Sequence, residues 1–575
     1  MWAWWLNTAW MLKCARERVL FARACRRVRQ TQADMLRHIL RANEDTWFGR
    51  RHGFAKIDSP RAFQDQVPLA TSADYAPLVQ RIALGETRVL TAEPVLLLEP
   101  TSGTTGGEKL IPYTASLRRQ FQRGVSAWIA DLFYHRPAVR AGRAYWSISP
   151  SLGPPRRSPG GLPIGFDEDS AYLGFFEQFA LRKLLVVPGD VARIRDITAF
   201  RRATLSHLLA AEDLALISVW SPTFLSALLS LLSEPESLKP SLVYASSTDP
   251  SRIQLLQAIW RSSASLPEKL RQTWPRLALI SCWTDAAAGQ FLPELRLLFP
   301  DVEIQPKGLL ATECFVSFPI VGQIAPVLAL RCHFFEFEEL AGGHIRLAHQ
   351  LERGGRYRIL VTTAGGLYRY HLRDEIEVIG FHHRCPQLRF LGKSDLVSDL
   401  VGEKLAEGHV RALLNRLPSL AGIVWQFQLL VPVLGRPPRY RLYIQAVRGA
   451  GFQPAITVQG RLEACSTEAI RAELQKGLEE NPYYRHAVAV GQLAPVEVAL
   501  MDSNREPAWT IYERRCLEMG QKCGDIKPMV LDRSTGWPKR FAPLVLDAAS
   551  ADTPGDVPPS RESTPWPRRA DDAGA

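Results

Sequence analysis

The chain has 575 residues, 46% of them hydrophobic, and a formal net charge of +12. That length exceeds one ordinary domain and predicts two folded ones, and no run approaches the ~18 consecutive apolar residues that a spanning helix needs. The positive charges are scattered and no RNP, zinc-finger or helix-turn-helix signature accompanies them, so nucleic acid is not an expected partner; a basic surface that attracts small anions fits the charge equally well.

At the start, Trp2, Trp4, Trp5 and Trp10 precede a basic segment with Lys13, Arg16, Arg18, Arg23, Arg26 and Arg27. A secretory signal carries its charge before the apolar stretch, not after it. Residues 1–30 are expected to form a helix whose tryptophans pack on the main domain; contact with an anionic membrane surface is the alternative.

Residues 31–391 alternate apolar strand-like runs with helical stretches. Val95–Leu98, Ala144–Ser149, Leu184–Val187, Leu277–Ile280 and Arg358–Thr362 read as strands. Ser116–Leu132 and Pro222–Leu232 read as helices. The pattern predicts a large α/β domain of β-sheets flanked by helices. The pattern then changes, and residues 396–549 predict a smaller α+β domain. Its elements are a helix at Glu403–Arg416, strands at Val424–Val433 and Tyr440–Val447 around Gly435–Pro438, a helix from Ser466, a strand at Val496–Met501 and a helix at Pro507–Met519. Residues 550–575, rich in Pro, Ser, Ala and Asp, predict a disordered tail. The nine cysteines are widely spaced without a CxxC pair, which argues against zinc and for reduced, buried thiols in a cytoplasmic protein.

The most informative stretch is Thr101-Ser102-Gly103-Thr104-Thr105-Gly106-Gly107-Glu108-Lys109, directly after an apolar run. Glycines let a backbone approach a ligand closely. Hydroxyls, backbone N–H groups and a lysine suit phosphate oxygens. Leu110 stands where a P-loop NTPase has a metal-binding Ser or Thr, and the spacing is not GxGxxG either. The bland reading is a polar loop; the density of the motif after a strand favours a nucleotide phosphate site.

This loop resembles the signature of adenylate-forming enzymes, in which it holds the β- and γ-phosphates of ATP. The resemblance extends along the chain. Met35–Thr46, Arg51-His52-Gly53, Val67-Pro68, Asp74-Tyr75-Ala76-Pro77 and Gly85-Glu86 come first. Thr312-Glu313, Tyr368–Asp374, Phe381–Gly392, Asn481-Pro482-Tyr483-Tyr484 and Gly520–Pro528 follow. Together they are similar to the Gretchen-Hagen-type acyl-acid amido synthetases, the family of the plant auxin- and jasmonate-conjugating enzymes.

The resemblance implies roles. Ser102, Gly103, Thr104, Thr105, Gly106, Gly107 and Lys109 would cradle ATP phosphates. Thr312 would lie against the α-phosphate, and Glu313 would carry Mg2+. Thr284, with its neighbours Trp283 and Asp285, would border adenine. Tyr370 and Asp374 belong to the motif whose Asp binds the ribose hydroxyls. Lys393 to Asp395, within residues 392–395, would be the hinge about which a mobile small domain rotates. Lys527 would enter the site from that domain and, with Lys109 and Glu313, serve catalysis. The helix at Ser126–Phe133 and the region Val219–Leu228 would line the acyl pocket. Three departures stand out: Leu309 replaces the usual adenine-stacking aromatic, Arg373 replaces a glycine, and Lys522-Cys523-Gly524-Asp525 is inserted before Lys527.

The implied activity is ATP-dependent adenylation of a carboxylic acid and transfer of the acyl group to an amine, with an amino acid expected. ATP is a substrate, Mg2+ a cofactor, small carboxylic and amino acids the partners, and a monomer the expected state. Two other readings stay open from the residues alone: a thiol acceptor such as coenzyme A, and a non-catalytic nucleotide-binding or membrane-surface protein.

Overall fold

The structure, a computed structural model, describes residues 2–101, 109–147, 156–165, 183–194, 196–233, 249–394, 396–421, 425–446, 467–519, 521 and 526–546. Ser102–Glu108 of the phosphate loop, Asp395, Lys522–Asp525 and the segment 550–575 lie outside the described residues.

A parallel sheet carries the strands Arg143–Trp146, Leu214–Ser218, Leu279–Cys282 and Glu303–Pro306 in that spatial order. Its two inner strands are buried along their whole length, which is why they read as unbroken apolar runs. Alternation splits them between two cores. Leu216 and Leu279 join one cluster, and Ile217 and Ile280 the other.

Beside it lies a seven-stranded antiparallel sheet, in the order Ile345–Leu347, Phe334–Glu339, Arg356–Thr362, Tyr370–His382, Cys385–Lys393, Val327–Leu328 and Ser317–Phe318. Its longest hairpin pairs Tyr370–His382 with Cys385–Lys393. A smaller sheet places Val95–Thr101 antiparallel to Lys109–Thr114, with Thr101 directly opposite Lys109. The two ends of the phosphate loop are therefore registered across one another.

The smaller α+β part has a three-stranded sheet. Trp425–Val433 and Arg439–Ala446 form a hairpin, and Glu497–Leu500 runs parallel to the second strand. Helices Thr467–Leu478 and Ala508–Glu518 belong with it. Its cores are Leu430, Tyr440, Leu442 and Leu474 on one face and Phe427, Tyr443, Tyr512 and Trp537 on the other. The mixed α/β class expected from the sequence is what the chain adopts.

Four local expectations need correction. Leu184–Val187 is not a strand; Leu185 makes one bridge, to Ala144. The helix expected from Glu403 begins at Glu407, because the Glu403 carboxylate accepts hydrogen bonds from the Leu400 and Val401 N–H groups (2.8 Å each) and holds a loop there. The helix from Pro222 ends at Leu229 and continues as a 3-10 turn, Ser230–Ser233. The amino-terminal helix Trp2–Ala24 does pack on the helix Ala115–His135, but through Trp10 (2% exposed), whose ring lies 6.0 Å from Phe133. Trp2 and Trp5 remain 50% and 68% exposed. Among the described residues no helix is long and apolar enough to cross a membrane.

Arg369 marks the most demanding piece of packing. It is buried, takes φ +49°, and its Nε lies 3.1 Å from a Glu336 carboxylate oxygen that is itself buried. Its guanidinium also donates to the carbonyls of Gln64 (2.9 Å) and Val67 (2.7 Å). Removing one partner of a buried ion pair strands the other charge. Glu336→Ala is therefore expected to destabilise the large domain by about 3–5 kcal/mol, read as a lowered Tm in thermal unfolding followed by circular dichroism. An unchanged Tm would show that the pair is not holding this loop.

Candidate active site

The site forms where the parallel strands end at their carboxyl edge, the usual place for ligands in such sheets. Cys282 leads into Trp283-Thr284-Asp285, and Pro306 into Lys307-Gly308-Leu309. Gly308 is required here. It takes φ +82°, and a Cβ would lie 2.4 Å from the Ser317 carbonyl oxygen. The turn it permits exposes Leu309 to a cavity bordered by Trp283, Thr284, Asp285, Lys307 and Lys393 from the large domain and by Tyr512, Gln521 and Lys527 from the small one. The Lys527 ammonium sits 5.2 Å above the Trp283 ring, a cation–π contact that ties the small domain to the rim. Asp285 accepts a hydrogen bond from the Phe390 N–H (2.9 Å). Burial pushes its carboxyl up; that N–H and Arg389 pull it back.

A second chain of contacts runs past the cavity. The Tyr113 hydroxyl, on the strand that begins at Lys109, donates to the Thr312 carbonyl (2.5 Å). The next residue, Glu313, accepts from the Tyr370 hydroxyl (3.4 Å). Burial and the neighbouring Glu313 carboxylate raise the Tyr370 phenol, so it stays a donor. Four residues on, Asp374 is buried and ion-paired with Lys393 (3.2 Å), its cross-strand partner in the long hairpin.

Upstream motifs hold this strand in place. The Tyr75 hydroxyl accepts from the Tyr368 N–H (2.7 Å) and donates to the Tyr368 carbonyl (2.8 Å). Phe48 stacks on the Tyr368 ring at 4.8 Å. Ala70 exchanges backbone hydrogen bonds with Arg369 (3.1 Å) and His371 (2.8 Å), which sets the direction of Tyr370. Asp74-Tyr75-Ala76-Pro77 and the segment before Arg51-His52-Gly53 are thus a clamp on Tyr368-Arg369-Tyr370.

The expected site residues fall into three groups. Thr284, Lys393 and Lys527 border one cavity, and Leu309 with them. Thr312, Glu313 and Tyr370 are linked by the Tyr113 and Tyr370 hydroxyls, and Asp374 reaches the cavity edge through Lys393. Lys109 stands at the hairpin end opposite Thr101, while Ser102, Gly103, Thr104, Thr105, Gly106 and Gly107 lie outside the described residues. The two segments expected to line an acyl pocket are mostly core: Val219, Phe224, Leu225 and Leu228 are buried, and Trp128 is tied to Gln305 (3.1 Å). Sequence reasoning missed Lys307 and Tyr113. The signal for Lys307 was present, a lysine between proline and glycine at a strand end.

The glycine that the family motif carries before its aspartate is Arg373 here, and its φ is +62°. Here an arginine bears a left-handed backbone. Its N–H donates to His371 Nδ1 (3.0 Å), and its carbonyl accepts from the Ser394 N–H (2.8 Å).

With sheets of this topology and a cavity shared by two domains, the fold is that of the adenylate-forming enzymes. The family model for the GH3 family N-terminal domain matches residues 19–304, and that for the GH3 family central domain matches residues 326–393. The chain belongs to the GH3 family. It is 23% identical over 514 residues to the probable indole-3-acetic acid-amido synthetase GH3.1 of Arabidopsis thaliana, covering 82% of this chain and 84% of that one. It is 24% identical over 575 residues to the indole-3-acetic acid-amido synthetase GH3.10 of Arabidopsis thaliana, with 88% and 92% covered. Among solved structures it is similar to the AtGH3.15 acyl acid amido synthetase in complex with 2,4-DB, at TM-score 0.76 and 19% identity over 92% of this chain and 96% of that one. A 2-hydroxyisobutyryl-CoA ligase in the postadenylation state is similar at TM-score 0.51 and 11% identity, covering 89% and 91%. At these identities the solved structures speak to the fold.

A non-glycine residue in the left-handed region costs roughly 1 kcal/mol. Arg373→Gly is expected to unfold at a higher temperature than Arg373→Ala, which loses the same side chain but keeps the strained backbone. Equal Tm values from differential scanning calorimetry would show that the turn carries no strain.

Proposed function

We propose that the chain is an ATP-dependent acyl-acid amido synthetase, a ligase that joins a carboxylic acid to an amine by way of an acyl-adenylate. The observation that carries this reading is Lys527, brought from the small domain over Trp283 at the mouth of the large domain's cavity. Adenylation needs a cation at the α-phosphate while the acid attacks, and amide formation needs that cation to withdraw. A lysine on a separate domain supplies both.

In this reading Leu309 and the Trp283–Asp285 turn border adenine. Asp374 accepts two hydrogen bonds from the ribose, a task that suits a carboxylate. Residues 102–107 and Lys109 hold the β- and γ-phosphates, and Thr312 faces the α-phosphate. A carboxylate oxygen of the acid forms a bond to the α-phosphorus as the bond to the β-phosphate oxygen breaks, and pyrophosphate leaves. Lys527 offsets the charge that develops on the α-phosphate. An amine, in our reading that of an amino acid, then attacks the acyl carbon. The bond to AMP breaks, and the nitrogen loses a proton. Rotation about Lys393–Asp395 would exchange the two active arrangements, and closure would keep water from the adenylate.

Mg2+ would be held by Glu313 together with the nucleotide phosphates, and when bound it would neutralise phosphate charge. Among the described residues no group of three His, Cys, Asp or Glu side chains could cage an ion. That donor set still suits Mg2+, which keeps several waters and commonly takes one carboxylate beside substrate phosphates. The seven described cysteines are buried and free of disulfides, which supports a reducing compartment such as the cytoplasm.

Lys109→Ala and Glu313→Ala should each abolish AMP formation from ATP and acid, measured by pyrophosphate exchange. Lys527→Ala should lower exchange by about 100-fold or more while leaving the KM for ATP near wild type. Asp374→Asn should raise the KM for ATP by about 10-fold or more, from weakened charge-assisted hydrogen bonds. Full activity of Lys109→Ala or Glu313→Ala would remove that residue from the site. Product analysis with mixed amino acids against coenzyme A decides the acceptor; a thioester in place of an amide would contradict the reading.

A further inference from the structure

Lys307 follows the strand Glu303–Pro306 and borders the same cavity as Lys527. Its ammonium donates to Ser218 Oγ, at the end of the strand two places away in the parallel sheet, and lies 4.7 Å above the Trp220 ring. The Trp220 and Trp283 rings are 5.7 Å apart. Lys307, from the large domain, thus lies over one indole of this pair and Lys527, from the small domain, over the other.

Among the described residues no carboxylate is ion-paired with Lys307. Glu407 is paired with Arg411, Asp374 with Lys393, and Asp285 is engaged by the Phe390 N–H. Cys282, on the adjacent strand, is a neutral thiol that burial pushes up to about 12. Lys527 lies over the Trp283 ring. An ammonium in such a place is costly unless an anion arrives to meet it. Burial accordingly brings its proton affinity down to about 7, against the lysine's ordinary value near 10.5.

Resting on the synthetase reading, we infer that Lys307 binds the carboxylate of the acid substrate, whose organic part packs beside the Trp220 ring. The surroundings select this anion over a phosphate. A polyphosphate calls for several donors at once, whereas here one cation stands over an indole ring and beside a hydroxyl. Asp285, Lys393, Glu407, Arg411 and Lys527 also border the cavity. Of these, Asp285, Glu407 and Lys393 are engaged within the protein, and their engagements leave Lys307 as the group that the incoming carboxylate must charge. Only protonated Lys307 pairs with a carboxylate. Acid binding is then complete below pH ~7 and is lost as the pH rises through that value in the free enzyme.

The test uses full-length protein and an acid that supports pyrophosphate exchange, with KM and kcat measured from pH 6 to 8.5 for wild type, Lys307→Met and Lys307→Arg. Lys307→Met is expected to raise the KM for the acid by about 30-fold or more, with kcat and the KM for ATP within about threefold. Lys307→Arg, which keeps the charge, should retain most acid affinity. The wild-type KM for the acid should climb above pH ~7, and Lys307→Met should be flat there. The thermal shift that ATP gives each variant reports that it is folded. An exchange-competent wild type with an unaltered acid KM in Lys307→Met overturns this inference alone, as does an equal loss of ATP and acid affinity. A wild type that binds ATP yet exchanges with no acid overturns the synthetase reading and this inference together.

Discussion

The ion pair between Asp374 and Lys393 is the constraint on which the site depends. The two residues face each other across the last register position of the longest hairpin, and Asp374 is buried. One end of the pair is the carboxylate that we assign to the ribose. The other is the last residue of the strand before the chain enters the smaller domain. A buried carboxylate needs a partner, and here the partner is Lys393, where we propose that the hinge begins. In the proposed reading, the ribose side of the cavity and the start of the hinge would thus be joined by one ion pair.

Everything upstream serves to hold that hairpin. Tyr75 clamps the backbone of Tyr368 with two hydrogen bonds, Phe48 stacks on its ring, and Arg369 is locked by Glu336 and two carbonyls. These residues touch no part of the cavity lining. They position Tyr370 against Glu313 and so connect the residues that we propose for the phosphate side with those proposed for the ribose side. Arg373 takes a left-handed backbone, a conformation that glycine adopts more readily.

Much of this was legible in the sequence. The strand before the phosphate loop showed as an apolar run, whereas the Thr312-Glu313 pair, Asp374 and Lys527 stood out only through the family resemblance of the motifs around them. What was not legible depends on juxtaposition. The seven-stranded antiparallel sheet brings together segments from Ser317 to Lys393 whose strands are mostly short, and Ser317–Phe318 and Val327–Leu328 have two residues each, too few for any period to show. Glu403 looked like the first turn of a helix, because a carboxylate that caps a loop and one that starts a helix occur in similar local sequence. Lys307 was visible as a residue and invisible as a site, since its meaning comes from Ser218 and Trp220, far away in the chain.

The central claim is that a carboxylate oxygen attacks the α-phosphorus of ATP at this cavity. Its most direct test labels the acid carboxylate with oxygen-18 and follows the label in the products of turnover with ATP and an amine. The account predicts one labelled oxygen in AMP and the other in the amide. Label in inorganic phosphate, with ADP formed in place of AMP, would mean attack at the γ-phosphorus and would contradict it.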